Sequence, residues 1–269
     1  MLEAVARKDR LFVTLGLLTV TAIFWAYLLA GAGMNMNATM PMNDIKTMPM
    51  NDIKMPMPVA SWTLGYVVLM VVMWWVMMAA MMLPSAAPMI LLFAAVNRSS
   101  AHHSGPVVPT SVFVAGYLVI WGGFSLTATF AQWGLTSAGL LDAKMRGNAV
   151  WVSGFLLIAA GLYQVTPMKN ACLRHCQSPV QFVMRNWRSG PIGAMQMGLT
   201  HGAFCLGCCG AMMLLLFVGG VMNLMWIGGL AIFVLIEKLA GRWPHFSKLS
   251  GVALIVWGGI LLARESGLG

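Results

Sequence analysis

Apolar stretches about as long as a transmembrane helix recur along the whole chain. A bilayer core about 30 Å thick needs roughly 20 apolar residues per helix. Only 9% of the residues are charged and 59% are hydrophobic, whereas a soluble domain has about 25% charged residues. The sequence therefore predicts an all-α polytopic membrane helix bundle with about seven transmembrane helices, at Leu11–Gly31, Trp62–Leu83, Thr110–Leu135, Asn148–Val165, Gly193–Val218, Val221–Leu239 and Ser250–Ala263.

The basic residues between these spans predict an orientation. Cytoplasmic loops carry an excess of Lys and Arg. With a cytoplasmic amino terminus, eleven of the sixteen basic residues fall on the cytoplasmic side. The net charge of +9 is then mainly an orientation signal, and the partner it attracts is anionic lipid rather than nucleic acid. The expected location is the bacterial inner membrane.

Three regions follow from this topology. Residues 1–31 form a cytoplasmic tail and the first span, residues 32–61 form a periplasmic loop, and residues 62–265 form the main membrane bundle. The loop contains the octapeptide TMPMNDIK twice in tandem, followed by MPMP. Its prolines keep it extended, so its methionines gain little from packing.

The methionines of the loop are candidate metal ligands. The thioether is a soft neutral ligand suited to Cu(I), and an M-x-M spacing on an extended chain can offer two or three sulfurs to one ion. The alternative is a low-complexity linker that grew by duplication. The ligands predicted here are Met40, Met42, Met48 and Met50.

A stripe of sulfur and imidazole groups marks the fifth span, in the segment QMGLTHGAFCLGCCGAMM. At 100° per residue, one face narrower than a quarter-turn carries Met197, His201, Cys205, Cys208 and Met212, with Cys209 beside it. Polar and ionisable groups inside a span usually face the protein interior and have a function. Metal binding is favoured over thiol redox chemistry or packing alone.

The second span carries a methionine stripe of similar spacing, with Met73, Met77 and Met81 on one face. Such a stripe is more often core than ligand, but opposite the cysteines it would complete a soft-ligand channel. The apolar run 89–95 continues beyond Pro84 and Pro88, either as a kinked extension of this helix or as a short interfacial helix.

A third cluster lies at the inner end of the fourth span, in TPMKNACLRHCQSP. Cys172 and Cys176 are four residues apart, so on a helix their sulfurs share a face and could hold one ion. Cytosolic thiols stay reduced, which argues against a structural disulfide. A reactive or incidental thiol pair is the alternative.

Three segments resemble a bacterial family of predicted metal-binding integral membrane proteins, some of which are labelled copper chaperones. They are MWWVMMAAMMLPSAAPM, TPMKNACLRHCQSP, and HGAFCLGCCGAMMLLLFVGGVMNLMW with the IEKL that follows. The resemblance covers about residues 62–265. It implies a multi-span inner-membrane protein that binds metal, and Gly210 departs from the bulky aromatic expected there. The ligands it implies are Cys172, Cys176, His201, Cys205, Cys208 and Cys209.

We expect a protein that binds Cu(I), with zinc as the alternative ion, and that acts as a copper chaperone or transporter. The outer loop would collect the ion, the fifth span would take it next, and Cys172 and Cys176 would form the inner terminus. The partner would be a periplasmic copper carrier or a membrane cuproprotein. No nucleotide-binding or hydrolytic motif is present, so we expect no enzyme. The rivals are a thiol-disulfide oxidoreductase using Cys205 and Cys208, and an assembly subunit without metal.

Overall fold

The computed structural model describes residues 2–31, 62–104, 109–141, 150–239 and 245–266. Within these ranges every regular secondary-structure element is a helix, which confirms the all-α prediction. The predicted periplasmic loop, with Met40, Met42, Met48 and Met50, lies outside the described residues. The helices are α1 Leu2–Leu29, α2 Leu64–Ser104, α3 Thr110–Ser137, α4 Val150–Gln164, α5 Pro167–Gln177, α6 Pro179–Asn186, α7 Gly190–Met213, α8 Leu216–Gly219, α9 Leu224–Leu239 and α10 Phe246–Glu265.

Five stretches of the described chain are long and apolar enough to cross a membrane, and they begin at Leu11, Leu64, Thr110, Gly190 and Phe246. A sixth is obtained if α4 and α5, which meet at a bend of 66°, count as one broken span. The predicted span Val221–Leu239 is α9, and its 16 residues reach only about 24 Å. The predicted count of seven is therefore not confirmed. The fold is compatible with a multi-pass membrane protein.

Helix α2 runs without a break through Pro84 and Pro88. The apolar run 89–95, predicted as either an extension or a separate helix, is thus an extension. Proline leaves a carbonyl without its helical donor, and hydroxyl side chains and neighbouring helices can make up for this in membrane helices. The Ser85 hydroxyl donates to the Met82 carbonyl at 2.9 Å, whereas the carbonyls that lose a helical donor to Pro84 and Pro88 are those of Ala80 and Pro84.

Helices α3 and α7 pack together closely at glycines. A Cβ added to Gly116 would lie 2.5 Å from the Met195 carbonyl oxygen, and one added to Gly198 would overlap the Phe113 carbonyl. Small residues of this kind let membrane helices approach one another. A similar glycine contact joins α4 to α10, where Gly161 faces Gly251. Helix α7 is thereby held against α3 along the face that leads to its cysteines.

Replacing Gly198 by alanine should destabilise the bundle. The new methyl group would force α3 and α7 apart, and overpacking of this kind costs about 1–3 kcal/mol. Thermal unfolding in detergent measures the effect. Gly123→Ala on α3 is the matched control because nothing lies within 4 Å of its added Cβ. Equal melting temperatures for the two variants would contradict the close approach.

Two residues that the orientation argument counted as loop charges are buried in the bundle. Lys169 is 0% exposed and Lys238 is 7% exposed. They therefore do not contribute to the charge of the loops, which leaves nine basic residues on the proposed cytoplasmic side against five. The cytoplasmic amino terminus stays a prediction.

Candidate metal site

The predicted stripe of α7 is buried along its whole length. Its five side chains are at most 3% exposed, and the neighbouring Cys209 is 1% exposed. The Cys208 and Cys209 thiols both donate to the Cys205 carbonyl, at 3.1 and 2.9 Å. These local bonds fix the direction in which the two sulfurs leave the helix. The buried members of the stripe are Met197, His201, Cys205, Cys208 and Met212.

The two cysteine clusters predicted from the sequence meet in the structure. Cys176 Sγ on α5 lies 3.7 Å from Cys208 Sγ on α7. A disulfide has an S–S distance near 2.05 Å, so these are two free thiols. Metal–sulfur bonds are about 2.3 Å long, so one ion could contact both sulfurs. Cys176 thus lies beside a cysteine of the fifth span, and the role of Cys172 and Cys176 as the inner terminus stays a prediction.

The bend between α4 and α5 brings these thiols to α7. Thr166 caps α5 by accepting a bond from the Lys169 amide at 3.3 Å. The Tyr163 hydroxyl donates to the Gly207 carbonyl at 2.5 Å. A Cβ on Gly207 would lie 2.7 Å from Cys172 Sγ, so the bare glycine makes room for that thiol.

Helix α2 contributes a thioether to the cluster through Met82 rather than through the predicted Met81. The Cys209 thiol lies 3.6 Å from Met82 Sδ. Met73, Met77 and Met81 are buried, but in the part of the chain that the structure describes no cysteine is hydrogen-bonded to their sulfurs. Met82 was missed because a one-residue step rotates a helix by 100°, and the sequence does not show how α2 is turned.

A lysine lies against the cysteines. Lys238 Nζ on α9 is 3.1 Å from Cys205 Sγ and 2.8 Å from Ser85 Oγ. The Tyr117 hydroxyl contacts the same sulfur at 3.1 Å. A buried ammonium requires negative charge or hydrogen-bond acceptors nearby. The arrangement therefore stabilises negative charge on the Cys205 sulfur.

Glu237 and Lys238 are neighbours in sequence but do not pair with each other. The Glu237 carboxylate forms a buried ion pair with Lys169 and also accepts from Gln164 at 2.8 Å and Ser247 at 2.6 Å. Successive helical residues are 100° apart, which sends Glu237 towards α4, α5 and α10 and leaves Lys238 for Cys205. Lys238 is a site residue that the sequence did not reveal.

His201 lies one turn before Cys205 in an aromatic enclosure. Its ring is stacked on Tyr117 and Phe113 and meets Phe182 edge-on, with centroid distances of 5.7, 6.1 and 5.4 Å. Its Nδ1 is buried without a hydrogen-bond partner. A buried polar atom left unpaired is unusual, and a neutral imidazole nitrogen is a metal ligand.

The described residues contain no group of three His, Cys, Asp or Glu side chains already arranged around one ion. What they contain is a pair of thiols and a thiol–thioether contact on three different helices. Structural zinc sites are almost always four-coordinate. Two thiolates, by contrast, form a sufficient ligand set for Cu(I).

Changing Met82 to leucine should weaken copper binding, whereas Met81→Leu should not. Both methionines are buried, and leucine conserves most of their volume, so the folding cost of either change is under about 1.5 kcal/mol. Only Met82 has its sulfur on a cysteine. Competition with a Cu(I) chelator measures the difference, for which we expect several-fold weaker binding in Met82→Leu alone. Equal losses would show that the thioether of Met82 has no special role.

A family model described as a copper chaperone (PpoB2) matches residues 71–261, about seven tenths of the chain. The matched range includes all the residues of the cluster, from Met82 to Lys238, and leaves out the Met-rich repeat. No curated protein and no solved structure matches the chain.

Proposed function

Since the chain belongs to this copper chaperone family, it handles copper, and we propose that it holds Cu(I) in its sulfur cluster for delivery to a cuproprotein. The observation that carries the proposal is the Cys176–Cys208 pair, with sulfurs 3.7 Å apart on two different helices. Thiolate and thioether sulfurs are the ligands that select Cu(I). The protein binds and transfers the ion and needs no catalytic step of its own.

The charges around the cluster support a monovalent cargo. Cu(I) bound by two thiolates has one net negative charge, which is costly to bury alone. Lys238 supplies the compensating positive charge 3.1 Å from Cys205 Sγ. The Glu237 carboxylate is paired with Lys169. It therefore does not neutralise the Lys238 ammonium, which can balance the charge of the copper–thiolate group. The Lys238 ammonium would therefore offset one negative charge of the loaded site inside the bundle.

A chaperone fits the arrangement better than a channel. Conduction needs several exchangeable sites of similar strength. Three of the cysteines, Cys205, Cys208 and Cys209, lie within five residues of α7 and are buried. Together with Cys176 they form one concentrated site that retains an ion until a partner removes it. In the proposed orientation Met212 lies towards the periplasmic end of the same helix and offers a weaker entry position, whereas His201 and Met197 lie towards its cytoplasmic end.

The proposed setting is the bacterial inner membrane, with the amino terminus in the cytoplasm. The Met-rich repeat would then face the periplasm and collect Cu(I) through Met40, Met42, Met48 and Met50. Thioethers are neutral and soft, so the loop can pass the ion on to the thiols. The donor would be a periplasmic copper carrier, and the acceptor a membrane cuproprotein.

A metal challenge of the purified protein tests the proposal. The full chain in detergent, kept reduced, is offered equal amounts of Cu(I) and Zn²⁺, and the bound metal is counted after desalting. We expect about one copper per chain and little zinc, because two thiolates with a thioether suit Cu(I) whereas structural zinc needs four ligands. Retention of zinc instead, or of no metal, would contradict it.

A deletion of residues 39–58 should slow loading and leave the final copper content unchanged. An unchanged loading rate would rule out collection by the loop.

Changing Lys238 to methionine should weaken Cu(I) binding at least about tenfold, equivalent to 1.4 kcal/mol. The reason is that the negative copper–thiolate group would lose its buried counter-charge. Chelator competition measures the affinity. Lys238→Arg, which keeps the charge, should lose less, and the exposed Lys248→Met on α10 is the control for general charge loss. Full affinity in Lys238→Met would refute the charge-balance argument.

A further inference from the structure

A cavity of about 250 Å³ opens on the hairpin formed by α5 and α6, on the side away from the cysteines. Its wall combines basic and polar side chains with apolar surface from Ala171 and Phe182. Arg174 and His175 come from α5, and Gln181 and Arg185 come from α6, with Ser178 at the junction and Asn186 at the far end.

No acidic residue lines this cavity. Among the described residues neither Arg174 nor Arg185 forms an ion pair, although both belong to its wall. Guanidinium groups bind phosphate with two parallel hydrogen bonds and are the preferred side chains for that purpose. The hydroxyl of Ser178 and the amides of Gln181 and Asn186 can add further donors. The chemistry of the wall is that of a phosphate site.

The opposite face of α6 is apolar. A second cavity, of about 210 Å³, lies there and is lined by Leu92, Val96, Val183, Met184 and Trp187. Val180 and Met184 are 57% and 79% exposed. A short helix with one basic and one apolar face, and with a Trp on the apolar face, is typical of the membrane interface. A lipid whose phosphate is bound at the basic face thus has apolar surface for its acyl chains on the other side of the same short helix.

We propose that Arg174 and Arg185 bind the phosphate of an anionic phospholipid, whose acyl chains lie along the apolar face of α6. Basic pockets near the ends of membrane helices are suited to such headgroups. The apolar cavity favours a lipid over a free phosphate ion, because a phosphate ion has no apolar part that could fill this cavity.

The lipid would hold the hairpin against α7. On α5 the cavity side carries Arg174 and His175, and the opposite side carries Cys172 and Cys176. The His175 ring stacks flat on Phe204 of α7, with centroids 4.0 Å apart, and Phe204 directly precedes Cys205. A headgroup seated in the cavity therefore fixes the helix that presents Cys176 to Cys208.

Native mass spectrometry of the full chain tests the proposal. The protein is purified in mild detergent, offered phosphatidylglycerol or phosphatidylcholine, and examined for retained lipid. The test variant is Arg174→Gln/Arg185→Gln. The matched control is Lys248→Gln/Arg264→Gln, which removes the same charge from exposed positions on α10. Thermal unfolding of each variant checks that it folds.

We expect wild type and control to retain phosphatidylglycerol about tenfold more strongly than phosphatidylcholine, a difference of roughly 1.4 kcal/mol. The arginine variant should lose this preference while melting near the wild-type temperature. Equal retention by all three proteins would overturn the proposal. Displacement of the lipid by inorganic phosphate alone would assign the cavity to a soluble anion instead. Each result is read from the retained lipid and not from bound copper, so it distinguishes a failure here from a failure of the copper site.

Discussion

Replacing Cys176 and Cys208 together by serine should reduce bound copper from about one ion per chain to almost none, because serine removes both soft thiolate ligands. The two sulfurs lie 3.7 Å apart on two different helices. Serine is nearly isosteric with cysteine, so the bundle should still fold. Copper per chain is measured after growth with added copper and purification under reducing conditions.

Two controls make this result specific. Cys172→Ser on the same face of α5 removes a thiol that lies against Gly207 rather than against a sulfur, and it should cost much less copper. The single variants Cys176→Ser and Cys208→Ser should each lose most of the copper, since one thiol of the pair remains without its partner. Wild-type copper content in the double variant would move the site to other ligands.

Changing Glu237 to glutamine should destabilise the protein by about 3–5 kcal/mol, the usual cost of leaving a buried charge without its partner. Lys169 and Glu237 are 0% and 2% exposed at their side chains, so water cannot replace the lost carboxylate. Thermal or chemical unfolding in detergent measures the loss. Glu265→Gln, at the exposed end of α10, should have no effect.

A double replacement separates charge from packing. Lys169→Met with Glu237→Gln removes both charges, and buried ion pairs replaced by apolar groups often give proteins as stable as the original. The double variant should therefore be more stable than Glu237→Gln alone. If Glu237→Gln melts like the wild type, the ion pair does not hold α5 to α9 as the structure indicates.

The periodicity of the sequence was enough to predict which α7 side chains share a buried face. Met197, His201, Cys205, Cys208 and Met212 all follow the 100° rule, and all are buried. Apolar length likewise predicted the long helices. The count of seven spans is not confirmed, because α9 is apolar but short and α4 bends into α5.

Contacts between helices could not be predicted in the same way. A single sequence gives the faces of each helix but not its rotation relative to its neighbours. For that reason Met81 was predicted as a ligand, although Met82 is the methionine whose sulfur contacts Cys209. Cys176 was likewise assigned to a different metal site from Cys208. The opposite directions of Glu237 and Lys238 depend on α5 and α7 lying on different sides of α9, which no local pattern reveals.

The rival redox function makes different demands on the same cysteines. A thiol-disulfide oxidoreductase needs its cysteines but not Met82 or Lys238. The Cys208 thiol donates to the Cys205 carbonyl at 3.1 Å, so the pair proposed for redox chemistry is engaged in a helical hydrogen bond. Loss of copper in Met82→Leu and Lys238→Met would separate metal handling from thiol exchange.

X-ray absorption spectroscopy at the copper edge of the loaded protein tests the central claim most directly. We predict a Cu(I) edge and a first shell made of sulfur, with metal–sulfur distances near 2.3 Å. This sulfur signal should be absent from the Cys176→Ser/Cys208→Ser variant. A first shell of nitrogen and oxygen, or an unchanged sulfur shell in that variant, would show that copper binds elsewhere and that the Cys176–Cys208 pair is not its site.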